Sequence, residues 1–194
     1  MTYLLRIVAC LFLLLSFNAK ALVVNGCAIE ANTICYGADL SGAVLSGANL
    51  YYVHLYNANL SYVDLTGAEM RYANLYEANL YEADLSGANL PGANLFKANL
   101  TNANLTNAYL RDADLRYTNL YGTDLSEADL TFANLPGTNL SDANLSNALY
   151  NDQTVFDFGF DPVAAGMTFV PLPAGIYLFL SGLVGLGLMR GRNG

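Results

Sequence analysis

Tryptophan is absent from this 194-residue chain, histidine occurs once, and Asp, Glu, Lys and Arg together make up only 12% of it. The lone His54 sits in a run of ordinary polar and apolar residues, and no Gly-x-Ser-x-Gly, His-x-x-His or phosphate-loop pattern accompanies it. Catalysis therefore has no candidate residues, and neither a cofactor nor a metal is expected. Few charges beside an apolar fraction of 54% exclude ordinary disorder, which needs the reverse balance. The net charge of −8 argues against a nucleic-acid partner. No apolar run is long enough to be a comfortable membrane span.

The two ends carry address-like patterns. Arg6, the apolar run Ile7 to Phe17 and the small-residue site Ala19-Lys20-Ala21 form the three regions of a secretory signal peptide, residues 1–21. Ile7-Val8-Ala9-Cys10 is similar to a lipoprotein box, but it precedes most of the apolar run, so Cys10 falls in the removed peptide. Cys27 and Cys35 remain. An even count in an oxidising compartment favours one disulfide, the alternative being two buried free thiols. At the other end Val170-Pro171-Leu172-Pro173-Ala174 leads into an apolar segment, Gly175 to Met189, and then Arg190 and Arg192. Arginines after an apolar run stop transfer with that end on the cytoplasmic side. Motif, apolar segment and basic end, residues 169–194, together resemble the PEP-CTERM sorting signals in their Val-Pro-Leu-Pro-Ala variant. The resemblance implies an exosortase-like membrane protease as a partner and transient contact with the membrane. A plain C-terminal anchor is the alternative.

Between the ends lies one repeat. From Leu40 to Leu145 every fifth residue is Leu, with Met70 the single exception, which makes 22 consecutive centres. A small residue, mostly Ala, stands two places before each centre, and usually Asn or Asp one place before. A step of five rotates a helix by roughly 140°, so leucines would spiral around it. Five is odd, so on a strand they would alternate faces. Only a chain that turns once per repeat keeps every Leu inside. The unit Ala-(Asn/Asp)-Leu-x-x resembles the pentapeptide-repeat family. That resemblance implies an all-β fold, a right-handed quadrilateral β-helix with four repeats per coil. It implies about five and a half coils over residues 38–149, a rod of roughly 26 Å at ~4.8 Å per layer. Residues 22–37 are expected to cap its N-terminal end. Residues 150–168 are expected to form a C-terminal cap, with Phe156, Phe158 and Phe160 over the last coil, and a linker from Asp161 to Thr168.

With four repeats per coil, residues twenty apart share a column. Asp39, Asn59, Asn79, Asn99, Asn119 and Asn139 form an asparagine ladder expected to bond backbone at the corners. Asp64, Asp84, Asn104, Asp124 and Asn144 form an acidic column; it lacks the glycine-rich nonapeptide of calcium-binding solenoids. Tyr56, Tyr76, Phe96 and Arg116 form an aromatic column, with Arg71 and Arg111 on the adjacent side. They make the candidate binding face, for an exopolysaccharide or another surface protein. The alternative is that these rings only tie coil to coil. The expected role is a non-catalytic, exported protein of the bacterial cell envelope, cell surface or extracellular matrix, a solenoid spacer or binding scaffold. Some members of the family resemble DNA in shape and charge and protect gyrase. The 12 acidic against 4 basic residues from Asp39 to Asp142 fit that reading weakly, and a signal peptide opposes it.

Overall fold

Each repeat ends in a β-turn whose first residue is the inward Leu. The N–H of the next repeat's small residue closes it, as in Ala43 N to Leu40 O (3.0 Å) and Ala88 N to Leu85 O (3.0 Å). The third turn residue lies in the left-handed region, where Gly is at ease. Gly42 has φ 63° and Gly87 φ 64° there, but Tyr52 (54°), Glu82 (51°) and Lys97 (57°) adopt the same conformation. Bonds to the next coil hold it, such as Glu82 N to Thr101 O at 3.0 Å. The computed structural model describes residues 22–24 and 26–172.

The turns square the chain. Residues twenty apart meet in parallel bridges, Asp39↔Asn59, Asp64↔Asp84, Asn89↔Tyr109 and Asn94↔Asp114 among them, one per side in each coil. Two bonds make each joint: Asn59 N donates to Ala38 O at 2.9 Å, and Leu40 N donates to Asn59 O at 2.8 Å. The product is a right-handed quadrilateral β-helix without any helix among the described residues. Its interior is a stack of Leu with Ala between. Leu50 to Leu135 are fully buried at every fifth position, Met70 included.

Within the 22 repeats three inward small positions, 118, 123 and 138, are Thr rather than Ala. Thr118 and Thr123 are buried, and their hydroxyls donate to the carbonyls of Leu95 and Leu100, both at 2.7 Å. Burial of a hydroxyl is tolerated because it is bonded. Thr118→Val should cost about 1 kcal/mol, the net worth of one such bond, since Leu95 O keeps its turn bond from Ala98 N (2.9 Å). Urea unfolding checks it; an unchanged midpoint would mean the hydroxyl contributes nothing.

Both ends differ from the expectation. At the N-terminal end the coil begins one repeat early. Ile34 bridges His54, and Cys35 occupies the inward place of Leu. The cap is an antiparallel hairpin of β1 (Leu22–Val24) and β2 (Cys27–Ile29). A disulfide joins Cys27 in β2 to Cys35, Cα atoms 5.5 Å apart.

At the C-terminal end the stretch read as a linker is packed structure. β3 (Leu149–Tyr150) pairs in parallel with β4 (Thr168–Phe169). Turns from Asp161 to Gly166 lead into it, and Met167 is buried. Val170 N donates to Tyr150 O at 2.8 Å, and Leu172 is buried. The fixed chain therefore runs through the first three residues of the tail motif. Phe156 and Phe160 pack on the core as expected, their rings 4.8 Å apart. Phe158 instead points into solvent from a turn closed by Phe160 N to Asp157 O, because Gly159 at φ 88° reverses the chain beneath it. Asp157 ends one column: its carboxylate accepts Gly137 N–H at 2.9 and 3.1 Å, where a further coil would supply a carbonyl.

Candidate functional site

The outer residues of each repeat are fixed by the turn that bears them, so each side carries columns about one strand layer apart. Where the residue before Leu is Asn, its side chain can bond both its own repeat and the neighbouring coil. Asn79 Oδ1 accepts Tyr81 N–H (3.3 Å) and the amide of Asn99 (3.0 Å), while its own amide donates to Asn59 (3.3 Å). The ladder continues from Asn59 to Asp39 and from Asn139 to Asn119. The expected structural role of this column is what the geometry displays.

The acidic column works the same way. Oδ1 of Asp64, Asp84 and Asp124 accepts the N–H two residues on, at 2.9 to 3.0 Å. Asn104 and Asn144 donate to the carboxylates of Asp84 and Asp124, each at 3.1 Å. Asn104 separates the charges of Asp84 and Asp124, while Asp64 and Asp84 are direct neighbours. The column's oxygens are thus engaged with the rod itself rather than converged on a point in solvent.

The aromatic column is real and one ring longer than Tyr56, Tyr76 and Phe96. Tyr36 stands above Tyr56 at 4.9 Å, Tyr56 above Tyr76 at 4.9 Å, and Tyr76 above Phe96 at 5.5 Å. Tyr36 lies twenty residues before Tyr56, so the same column rule reaches it once the coil starts one repeat earlier, with Cys35 in the place of Leu. The rings face one another along the axis, with Tyr76 and Phe96 only 7° from parallel. Tyr36–Tyr56 and Tyr56–Tyr76 are tilted by 32° and 36°, so those faces cover one another only in part. A sugar ring that stacks needs an exposed face. At the Phe96 end Arg116 lies over the ring at 5.2 Å. The adjacent side repeats the pattern: Tyr52 stacks on Tyr72 at 5.0 Å, and Arg111 covers Phe132 at 4.4 Å.

Every described base is paired. Arg71 meets Glu69 (3.6 Å), Lys97 meets Glu77 (3.4 Å), Arg111 meets Asp112 (3.4 Å) and Arg116 meets Asp114 (2.7 Å). The last pair is two-pronged, with Arg116 Nε also 2.8 Å from Asp114 Oδ1. Arg116 therefore holds the Asp114 carboxyl below the usual carboxylate range. Acids act oppositely on phenols: Glu77, Glu82 and Asp142 raise Tyr76, Tyr81 and Tyr121. A lowered carboxylate stabilises the fold above its unfolded pKa, and that contribution is lost as pH falls through the folded value. By NMR, Asp114 should stay ionised to lower pH than a free Asp, and Arg116→Gln should return it upward. An ordinary Asp114 midpoint in the unaltered chain would show the pair is open in solution.

Of the other sequence-read residues, Val170, Pro171 and Leu172 lie on the C-terminal cap. Ala19, Ala21, Pro173, Ala174, Arg190 and Arg192 lie outside the described residues. No cluster of three or more His, Cys, Asp or Glu poised for a metal occurs among the described residues, nor a helix long and apolar enough to cross a membrane.

The sequence profile of pentapeptide repeats matches residues 31–61, 58–95, 93–131 and 123–148, more than half of the chain. No curated protein matches it. Among solved structures, a pentapeptide repeat protein from the Arabidopsis thaliana thylakoid lumen is 33% identical, with TM-score 0.45, covering 46% of this chain and 62% of that one. The chain thus spans less than two thirds of that relative. HetL, a pentapeptide repeat protein from the cyanobacterium Nostoc, is 30% identical over 64% of this chain and 77% of that one, with TM-score 0.32. QnrB1, a plasmid-mediated fluoroquinolone resistance protein, is 21% identical over 78% and 86%, with TM-score 0.49.

Proposed function

The chain belongs to the pentapeptide-repeat family, and on that footing we propose that it is a non-catalytic exported scaffold, a short stiff rod displayed at the bacterial envelope. The observation that carries the scaffold half is the self-sufficiency of the surface. Among the described residues the Asn and Asp columns bond along the rod, Tyr56, Tyr76 and Phe96 contact one another, and Arg71, Lys97, Arg111 and Arg116 pair with acids on the same rod, which suits a spacer. The export half rests on the two ends. The signal peptide delivers the chain across the inner membrane. The apolar segment Gly175 to Met189 holds its end there, Arg190 and Arg192 inside. An exosortase-like protease then cuts near Pro171 to Ala174.

Mature protein should then begin near Leu22 and end near the proline motif. Intact mass of protein from the native host tests this. A mass that retains Arg190 and Arg192 would leave a plain anchor. Pro171→Ala with Pro173→Ala should hold the uncut form in the inner membrane. Surface protein of normal mass from that variant would remove the sorting reading.

A further inference from the structure

We propose that the C-terminal layer of the rod is a membrane-docking foot, seated on a zwitterionic lipid surface while the tail is in the bilayer. This rests on the reading of Gly175 to Met189 as a membrane segment. The structure adds the distance. A free linker from Asp161 onward would let the rod drift about 40 Å from its anchor, at ~3.3 Å per residue over twelve residues. That slack does not exist, because the chain is fixed on the rod through Leu172 by the β3–β4 pairing, by Val170 N–H and by burial of Leu172 itself. Only three steps of chain separate Leu172 from Gly175, at most ~10 Å. The headgroup region between water and hydrocarbon is itself roughly 5–7 Å thick. The last layer of the rod must then lie at the headgroups.

The terminal stretch carries several exposed apolar side chains. Phe158 is 109% exposed at its turn tip, and Val155 (48%), Val163 (70%) and Phe169 (46%) are exposed in the same terminal stretch. On a water-facing end such a group of large apolar side chains has no use, whereas at a lipid boundary each contributes its transfer energy. The charges nearby are Asp152, Asp157 and Asp161, with no base from Tyr117 to Met189. Attraction to anionic lipid is absent, and apolar insertion into a zwitterionic surface is the interaction that fits. The rod would stand on this foot and project its hairpin cap outward.

The absence of Trp makes a direct test possible. Phe158→Trp places a lone indole at the foot, excited to the red of the tyrosines, on an exposed turn where it does not disturb packing. Tyr62→Trp, at a site 58% exposed, places one about 19 Å up the rod, four layers above the Asp142 layer. Each variant, starting at Leu22 as in the mature protein and keeping its whole tail, is reconstituted in phosphatidylcholine vesicles, with flotation scored first and quenching by lipids brominated on the acyl chain second. We expect flotation of both, a blue shift with roughly twofold or greater quenching at 158, as for side chains ~5–10 Å into the interface, and no change at 62. Flotation with a water-like, unquenched signal at 158 overturns the foot but leaves the anchor. Quenching at both sites means the rod lies flat, which also overturns it. Loss of flotation removes the anchor, and the foot with it.

Discussion

Leu90→Asp should destabilise the rod by about 4 kcal/mol or more, the cost of an unpaired charge in an apolar interior. Leu90 is fully buried, and the register of Glu69↔Asn89 and Asn89↔Tyr109 places it between Met70 and Leu110. All the described bases are on the outside, so no cation reaches it; protonation instead would leave a polar group among leucines. The damage should spread. A solenoid layer is stabilised by its two neighbours, so a failed middle layer separates the rod into two shorter pieces with two new ends. Leu90→Ala removes atoms without adding charge and should cost about 2–5 kcal/mol. Ser46→Asp, outward and exposed, should stay within about 0.5 kcal/mol. Thermal and urea unfolding order the three. Equal stability of Leu90→Asp and Ser46→Asp would mean that inward and outward have been exchanged.

The inward set was legible because a period of five fits only a chain that turns at every repeat, and 22 Leu or Met centres leave the register no freedom. Asn columns were legible for the same reason, since a fixed register fixes which side chains stack. The ends were not, because the signal there is hidden by substitution. Cys35 holds the place of Leu and Ile34 that of Asn, so the first unit does not read as a unit. After Ala148 the spacing gains a residue: Asn134 meets Val155, and Asn151 Oδ1 accepts Phe132 N–H at 3.1 Å in place of a carbonyl. Thr154 then fills the small position, its hydroxyl on Leu130 O at 3.0 Å. Ring orientation was also beyond reach. A column of Tyr and Phe can show faces or edges to solvent, and nothing in the repeat dictates that Tyr76 stacks flat on Phe96 while Tyr56 tilts by 36° against Tyr76.

Replacing Cys27 and Cys35 together by Ala should cost about 2.5 kcal/mol, the loop-closure contribution for so short a loop, and the loss should stay local. The bond joins β2 to the inward position of the first coil. Without it the hairpin is held mainly by Ile29 and the small apolar face around it, and two-stranded hairpins are marginal alone. When the hairpin lifts, the core of the first coil, Leu40, Leu45 and Leu50, loses the apolar cover of Val24, Cys27 and Ile29, and the end of the β-helix is opened. Such an edge pairs readily with other chains, so the variant should also associate more at high concentration. Hydrogen exchange separates this from the effect of Leu90→Asp. Protection should fall for the coil from Asn32 to Leu50 and hold for amides beyond Leu100, because an end frays from one side whereas a broken middle exposes both halves. Uniform loss of protection would mean that the cap is a nucleus for the whole rod. Unchanged protection at Asn32 to Leu50 would mean that the hairpin stays seated without the bond.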